Sequence, residues 1–266
     1  MGRNSVSSTL HNRIAYGMST FRSSLICLLL WAPLWVLAQH NASPAPNGQP
    51  TKEEPRFLFS PIHVNGSYIA LTFDDGPHPE LTPKLLDILK AHQVRATFFV
   101  VGNRVVKYPE IVARAAREGH EIANHSWSHQ RLSELVDTNV RQELQKDDDA
   151  ICSVVGVRPK LLRPPGGALL ARQERWIHDE FGYNTILWDV HGFDWVRPAP
   201  APAMISQRIV EETHPGAVIV CHDTLPGTIE ATPSILEQLA AKGFKFVTVS
   251  ELLQMAADGA HSSSTP

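Results

Sequence analysis

The sequence predicts an α/β protein, a distorted (β/α) barrel with about seven parallel strands. Three observations predict it. Seven short apolar runs alternate with helical patterns. Several of those runs are apolar throughout, as strands covered on both faces are. A chain of 266 residues is also long enough to curl such a sheet within one domain. An open doubly wound sheet is the alternative that the same alternation permits.

Residues 25–37 (LICLLLWAPLWVL) are the one long apolar run, preceded by Arg22 and followed by Ala38. A basic flank, a short apolar stretch and a small residue at the end predict a secretory signal peptide over 1–38. The run is shorter than the roughly 20 residues a membrane helix needs, and Pro33 interrupts it. An uncleaved anchor is the other reading of this segment. Met18 stands at a more usual distance from the run than Met1, so a true start at Met18 stays open. Residues 39–57 are polar and rich in Pro and Asn, a disordered linker by composition. The folded domain is expected over 58–256, with a disordered tail at 257–266.

Within the domain, strands are predicted at 68–73, 96–101, 121–124, 160–162, 185–188, 217–221 and 245–249. Thr82-Pro83 and Thr232-Pro233 each offer an N-cap followed by proline at the first helical position. Gly119, Gly156 and Gly243 follow helical stretches, where a left-handed cap is wanted. Of three cysteines, Cys27 lies in the leader, Cys152 is expected on a helix and Cys221 in a strand, so free thiols are preferred to a bridge.

Hydrophobic content of 43% and charged content of 19% favour neither disorder nor a membrane bundle. Without residues 1–38 the chain carries 21 basic and 27 acidic residues, a net charge of −6 with His neutral, which argues against nucleic acid as a partner. No stable membrane insertion is expected after signal cleavage, and a monomer is expected.

The chemistry gathers directly after the strands. The predicted strands end in Asp74-Asp75-Gly76-Pro77, in His125-Ser126-Trp127-Ser128-His129, in Arg163-Pro164-Pro165-Gly166-Gly167, in a segment ending Phe193-Asp194-Trp195, and in His222-Asp223. In a parallel barrel all strand C-termini open on one face. Asp-Asp-Gly-Pro suits a plain turn, but adjacent carboxylates also allow one to bind a cation while the other handles protons. His125 and His129 are four apart, so one helical turn would bring both imidazoles to one face. With Asp75 they make a three-ligand divalent-metal site, zinc being the expected ion. Arg163 reads as a surface charge or as the partner of Asp74. Gly166 offers a backbone N–H to a substrate oxygen. His222 reads as a satisfied core histidine or as a general acid across the mouth from Asp74. Trp195 is a packing residue or a platform for a sugar ring.

These segments resemble the polysaccharide deacetylases with the NodB-homology domain, carbohydrate esterase family four. The TFDDGP, HSxxH, RPPxG, Trp-containing aspartate and terminal HD motifs stand in that family's order over residues 68–253. The resemblance implies Asp74 as catalytic base, Asp75, His125 and His129 as metal ligands, Arg163 as the residue orienting Asp74, and His222 as acid. It implies N-deacetylation of a secreted, periplasmic or cell-envelope polysaccharide containing N-acetylglucosamine, peptidoglycan- or chitin-like. An O-acetyl xylan esterase and a catalytically silent carbohydrate-binding domain are the rivals. Two positions depart from the pattern: Gly166 stands where the family usually has a bulkier residue, and His191 where it usually has the first aspartate of the fourth motif. If that aspartate supports the histidine acid, its loss would lower the pKa of His222 unless Asp189, Asp194 or Asp223 substitutes.

Overall fold

The structure is a computed structural model and describes residues 58–262. The predicted signal peptide, the choice between Met1 and Met18, and the linker at 39–57 lie outside the described residues. Nine strands and eight α-helices follow one another as β1 (Leu58–Phe59), β2 (Tyr68–Asp74), α1 (Leu81–Ala91), β3 (Thr97–Val100), α2 (Gly102–Lys107), α3 (Pro109–Arg117), β4 (Glu121–Asn124), α4 (Asp137–Val155), β5 (Leu161–Leu162), α5 (Ala171–Phe181), β6 (Asn184–Ile186), β7 (Val190–His191), α6 (Pro202–Glu212), β8 (Val218–His222), α7 (Pro226–Ala241), β9 (Lys245–Val247) and α8 (Val249–Ser262).

Every ladder is parallel, and the strands run in the order β1-β6-β5-β4-β3-β2-β8-β7, with β9 added to β2. The sheet curls as a barrel does, but no ladder among the described residues joins β7 to β1, so it stays open there. The predicted distorted barrel is correct, and its seven strands become nine. β1 and β7 are two residues each, too short to leave an alternation in the sequence.

Alternation along β2 sorts its side chains into two layers. Ile69, Leu71 and Phe73 face the helices, in one cluster with Leu85, Leu86 and Leu89 of α1 and Ile235, Leu236 and Leu239 of α7. Ala70 belongs to the second cluster, with Phe99, Ala123, Val218 and Leu252, and the same period continues through Thr72 to Asp74. The inner face of the strand therefore turns from apolar to charged as it nears its C-terminus. α8 closes the lower end with Val249 and Leu252, both fully buried.

Three local expectations are corrected. α1 begins at Leu81, one residue before the predicted cap Thr82, because the His78 imidazole accepts the Glu80 and Leu81 N–H groups at 3.2 Å. α7 starts at Pro226, so Pro233 lies inside it rather than at its first position. The buried face from Thr228 to Leu239 outweighs the roughly 3 kcal/mol that an interior proline costs. α8 runs to Ser262, so the stretch after 256 is helical for six residues where composition suggests a tail. Cys152 on α4 and Cys221 in β8 are free thiols, as expected. No helix among the described residues is long and apolar enough to cross a membrane.

Candidate metal-dependent active site

Asp74 is the last residue of β2 and is 3% exposed. Its Oδ1 accepts a 2.7 Å hydrogen bond from Arg163 Nη1. Arg163 follows β5 and is wholly buried inside the curled sheet, not on the surface. Its other donors reach Thr72 Oγ1 at 2.6 Å, the Ile186 carbonyl at 3.1 Å and the Leu187 carbonyl at 3.1 Å, while its guanidinium carbon lies 4.1 Å from the centre of the Phe99 ring. Burial lowers its pKa, and Asp74 opposes that shift. A buried charge of this kind is tolerated because it is paired and each of its three nitrogens donates a hydrogen bond.

Asp75 leaves the strand with φ of 76°, a left-handed conformation that Asp accepts better than most residues. Gly76 follows where only glycine fits, since a Cβ there would stand 2.2 Å from Asp223 Oδ2. The reversal separates the two neighbouring carboxylates: Asp74 faces Arg163, and Asp75 faces the histidines. Asp75 Oδ1 lies 3.0 Å from His129 Nε2 and 3.4 Å from His125 Nε2.

His125 and His129 do not meet through a helical turn. The segment after β4 is an irregular loop in which Ser126 (φ 67°) and His129 (φ 61°) are left-handed. The loop hangs on short polar bonds. Ser126 N donates to Asn124 Oδ1 at 2.8 Å and His129 N to Ser126 Oγ at 3.0 Å. Two acids on α4, one helical turn apart, hold it from behind: His125 N donates to Asp147 Oδ2 at 3.0 Å, and Ser128 N and Oγ donate to Glu143 at 2.8 Å each. Burial pushes the Asp147 carboxyl well above its usual range. Sequence reasoning missed both acids. Their only signal was a four-residue spacing on a predicted helix, indistinguishable from an exposed charged face.

The cluster fits a divalent cation. His125 Nδ1 lies 2.7 Å from the Arg163 carbonyl, which only accepts, so Nδ1 carries a proton and Nε2 is the ring atom turned toward Asp75. Asp75 Oδ1 is buried and accepts no hydrogen bond of good geometry despite the two nearby nitrogens. The separations of 3.0–3.4 Å between Asp75 Oδ1 and the two imidazole nitrogens match the roughly 3.3 Å between tetrahedral ligands of an ion about 2 Å from each. Burial would raise the Asp75 carboxyl, but its interactions with His125 and His129 hold it well below the usual carboxylate range. The contact with Asp75 in turn raises His129.

His222 ends β8 and pairs in register with Asp74, so it is a neighbour of that carboxylate rather than its counterpart across the mouth. Its support is Asp194. Asp194 Oδ1 lies 2.9 Å from His222 Nδ1, and Oδ2 accepts the His222 backbone N–H at 2.8 Å and the Thr228 hydroxyl at 2.6 Å. Burial would lower the imidazole, but the hydrogen bond and charge of Asp194 raise it to about 9. Of the three aspartates expected to be able to compensate, Asp194 is the one that does so. Asp189 instead contacts Val218 N and His214, and Asp223 is buried beneath Thr82. His191 packs its ring 4.1 Å from that of Phe193 and 5.3 Å from that of Trp195, as part of a wall.

Asp74, Asp75, His125, His129, Gly166, Trp188, Trp195 and His222 line one cleft of about 450 Å³, with Arg163 behind them. Gly166 is left-handed (φ 65°), and no described residue accepts its N–H. Residues 62–186 match the family described as polysaccharide deacetylase. A peptidoglycan-N-acetylglucosamine deacetylase of Bacillus cereus is 38% identical over 194 residues, which are 71% of this chain and 70% of that protein. The chain belongs to the polysaccharide deacetylases. Among solved structures of that family, the Bc1960 peptidoglycan N-acetylglucosamine deacetylase superposes with a TM-score of 0.70 at 37% identity, covering 74% of this chain and 92% of the other. A family CE4 pseudoenzyme of Bacillus anthracis, BA3943, superposes with a TM-score of 0.67 at 31% identity, covering 72% and 66%.

Proposed function

We propose that this polysaccharide deacetylase hydrolyses the acetamide of N-acetylated sugars, N-acetylglucosamine above all, in a cell-wall or other extracellular polysaccharide. One observation carries the reading. Neighbouring carboxylates are committed to different partners, Asp74 to an arginine and Asp75 to two imidazoles, with a supported histidine beside them. A silent carbohydrate-binding domain would need neither Asp74 nor the Asp194–His222 pair.

Asp75, His125 and His129 would hold a divalent ion, zinc by donor set, which would supply Lewis acidity toward an oxygen of the reacting centre. Asp74, oriented by Arg163, accepts a proton from the attacking water as the new C–O bond forms. The Gly166 N–H donates to the developing oxyanion. His222, held in its charged form by Asp194, gives its proton to the sugar nitrogen as the C–N bond breaks. The products are acetate and a free amine. The apolar run at 25–37 supports placing this chemistry outside the cytoplasm, and Trp195 supports the ring of a bound sugar.

Acetate release from N-acetylglucosamine oligomers, peptidoglycan and acetylated xylan tests the reading. Release from the N-acetylated glycans should stop on chelation and return with zinc. Undiminished release from metal-free protein would overturn it, and release confined to xylan would move the activity to O-esters.

A further inference from the structure

Asp223 is a buried carboxylate that the proposed reaction does not use. It follows His222 at the end of β8 and is wholly buried. Its Oδ2 accepts a hydrogen bond from the Thr82 hydroxyl, while its Oδ1 is buried without a hydrogen-bond partner among the described residues. Thr82, in the first turn of α1, holds the chain that leaves the metal turn. Its Oγ1 accepts the His78 N–H at 2.8 Å, and its own N–H donates to the His78 carbonyl at 3.3 Å. Hydrogen bonds therefore run from the end of β8 through α1 to the segment just beyond Asp75. Burying an acceptor without a partner costs free energy, so this carboxylate needs a reason to be there.

The reason lies at Gly76. Unlike Gly166 and Gly167, Gly76 does not take a left-handed φ, so backbone freedom does not demand glycine at that position. Space does. A Cβ on residue 76 would stand 2.2 Å from Asp223 Oδ2 and 2.6 Å from Oδ1. Both carboxylate oxygens thus press on the residue that follows Asp75. The Gly76 carbonyl is tied in turn to the end of β3, where it accepts the Val101 N–H at 2.9 Å. One residue back, Asp75 stands at φ 76° with its carboxylate toward His125 and His129. A non-glycine residue keeps such a conformation only where its surroundings over-determine it.

We propose that Asp223 is a positioning residue for the metal turn. It fills the space behind Gly76 and, through Thr82, fixes the path beyond it, so that Asp75 is held in the conformation that turns its carboxylate to the two imidazoles. The glycine after the paired aspartates and the aspartate after His222 act as one unit, although they are far apart in the chain. The proposal rests on Asp75 as a metal ligand of the deacetylase site.

The test reads three quantities below the melting temperature of each variant: zinc affinity by competition with a chelator, the absorption bands of the cobalt(II)-substituted protein, and acetate release at saturating zinc. Asp223→Ala empties the space behind Gly76 and should weaken zinc binding by roughly 10- to 100-fold and change the cobalt bands. Asp223→Asn keeps the volume and should retain most of the affinity. Gly76→Ala forces a methyl group against the carboxylate and should weaken binding by roughly tenfold or more. Added to Asp223→Ala it should cost nothing further, because the methyl enters vacated space. If Asp223→Ala does not fold, Thr82→Val takes its place, with a loss of roughly threefold or more that Thr82→Ser restores. Unchanged zinc affinity and cobalt bands in Asp223→Ala, or in Thr82→Val where it stands in, would overturn the proposal. Losses in Gly76→Ala and Asp223→Ala that simply multiply in the double variant would do the same. If the wild type binds zinc but releases no acetate from any glycan, the deacetylase reading fails and the zinc series still decides the role of Asp223. If acetate is released and every substitution leaves zinc affinity untouched, the proposal fails and deacetylation stands.

Discussion

Asp74-Asp75 at the end of β2 and Asp147-Asp148 on α4 are the same dipeptide in two settings. Asp74, Asp147 and Asp148 are each under 5% exposed, and Asp75 is half-buried. The first pair faces cationic or metal-ready groups: Arg163 for Asp74, and His125 and His129 for Asp75. The second pair faces hydrogen-bond donors with little charge. Asp147 takes the His125 N–H, while Asp148 takes Asn124 and the Tyr183 hydroxyl, with Arg158 at 3.5 Å. Burial raises both carboxyls of the second pair, whereas Asp75 is held low. On the strand end, a left-handed residue lets neighbouring carboxylates enter one cleft with different partners. On the helix, neighbouring residues diverge by roughly 100° and brace two different structures. Position decides whether two aspartates enter the cleft or hold up the residues that line it.

The comparison can be broken hardest at Asp74. Asp74→Asn should keep the metal and lose turnover by roughly 10²- to 10⁴-fold. Asp74→Ala should also unfold more readily, by about 3–5 kcal/mol, because Arg163 is left charged and unpaired in the core. Single-turnover acetate release and denaturant titration read the two effects, and near-native rates in Asp74→Asn would remove the base assignment.

Next comes metal affinity, where the two pairs should separate. Asp75→Ala removes a ligand and should weaken zinc binding by more than the roughly 10- to 100-fold that losses behind the ligands cost. Asp147→Asn keeps an acceptor for the His125 N–H and should fall at or below the low end of that range. Competition titration against a zinc chelator measures both, and equal losses would erase the distinction.

A smaller effect is expected in the pH profile. Asp194 raises the pKa of His222 to about 9, so if His222 is the acid, Asp194→Asn should move the basic limb of kcat toward lower pH. His191→Asp should shift it less, since the supporting carboxylate is already present at Asp194. A larger shift from His191→Asp would return the supporting role to that position.

The smallest effect concerns the helix pair. Asp148 has a raised folded-state pKa, so its neutral form is favoured in the native protein. Such a group contributes stability below its unfolded pKa, near 3.9, and loses it as pH rises through the folded value. Asp148→Asn stays neutral throughout, so its melting temperature relative to wild type should rise between pH 4 and pH 7. A constant difference would show that burial does not control this carboxyl.

Much of the site was legible because it is local. Five strand ends carry polar residues, and a parallel sheet delivers all strand ends to one face, so Asp74, Asp75, His125, His129 and His222 could be grouped before any contact was known. Distances across the sheet were not legible. Asp189, Asp194 and Asp223 were equal candidates to support His222. Only the fold sends Asp189 to His214, Asp223 beneath Thr82 and Asp194 to the imidazole. The HxxxH spacing suggested a helix, while the real loop depends on Glu143 and Asp147, which follow it by more than ten residues.

By itself, then, the sequence determined the parallel α/β alternation and which side chains, Asp75, His125 and His129 among them, gather at one end of the sheet as a candidate metal site. These follow from the alternation of short apolar runs with helical patterns and from residue chemistry. The tertiary structure alone decided which carboxylate is held low, which aspartate supports His222, and that the barrel stays open among the described residues. Burial and partner choice depend on residues far apart in the chain, and no local pattern encodes them.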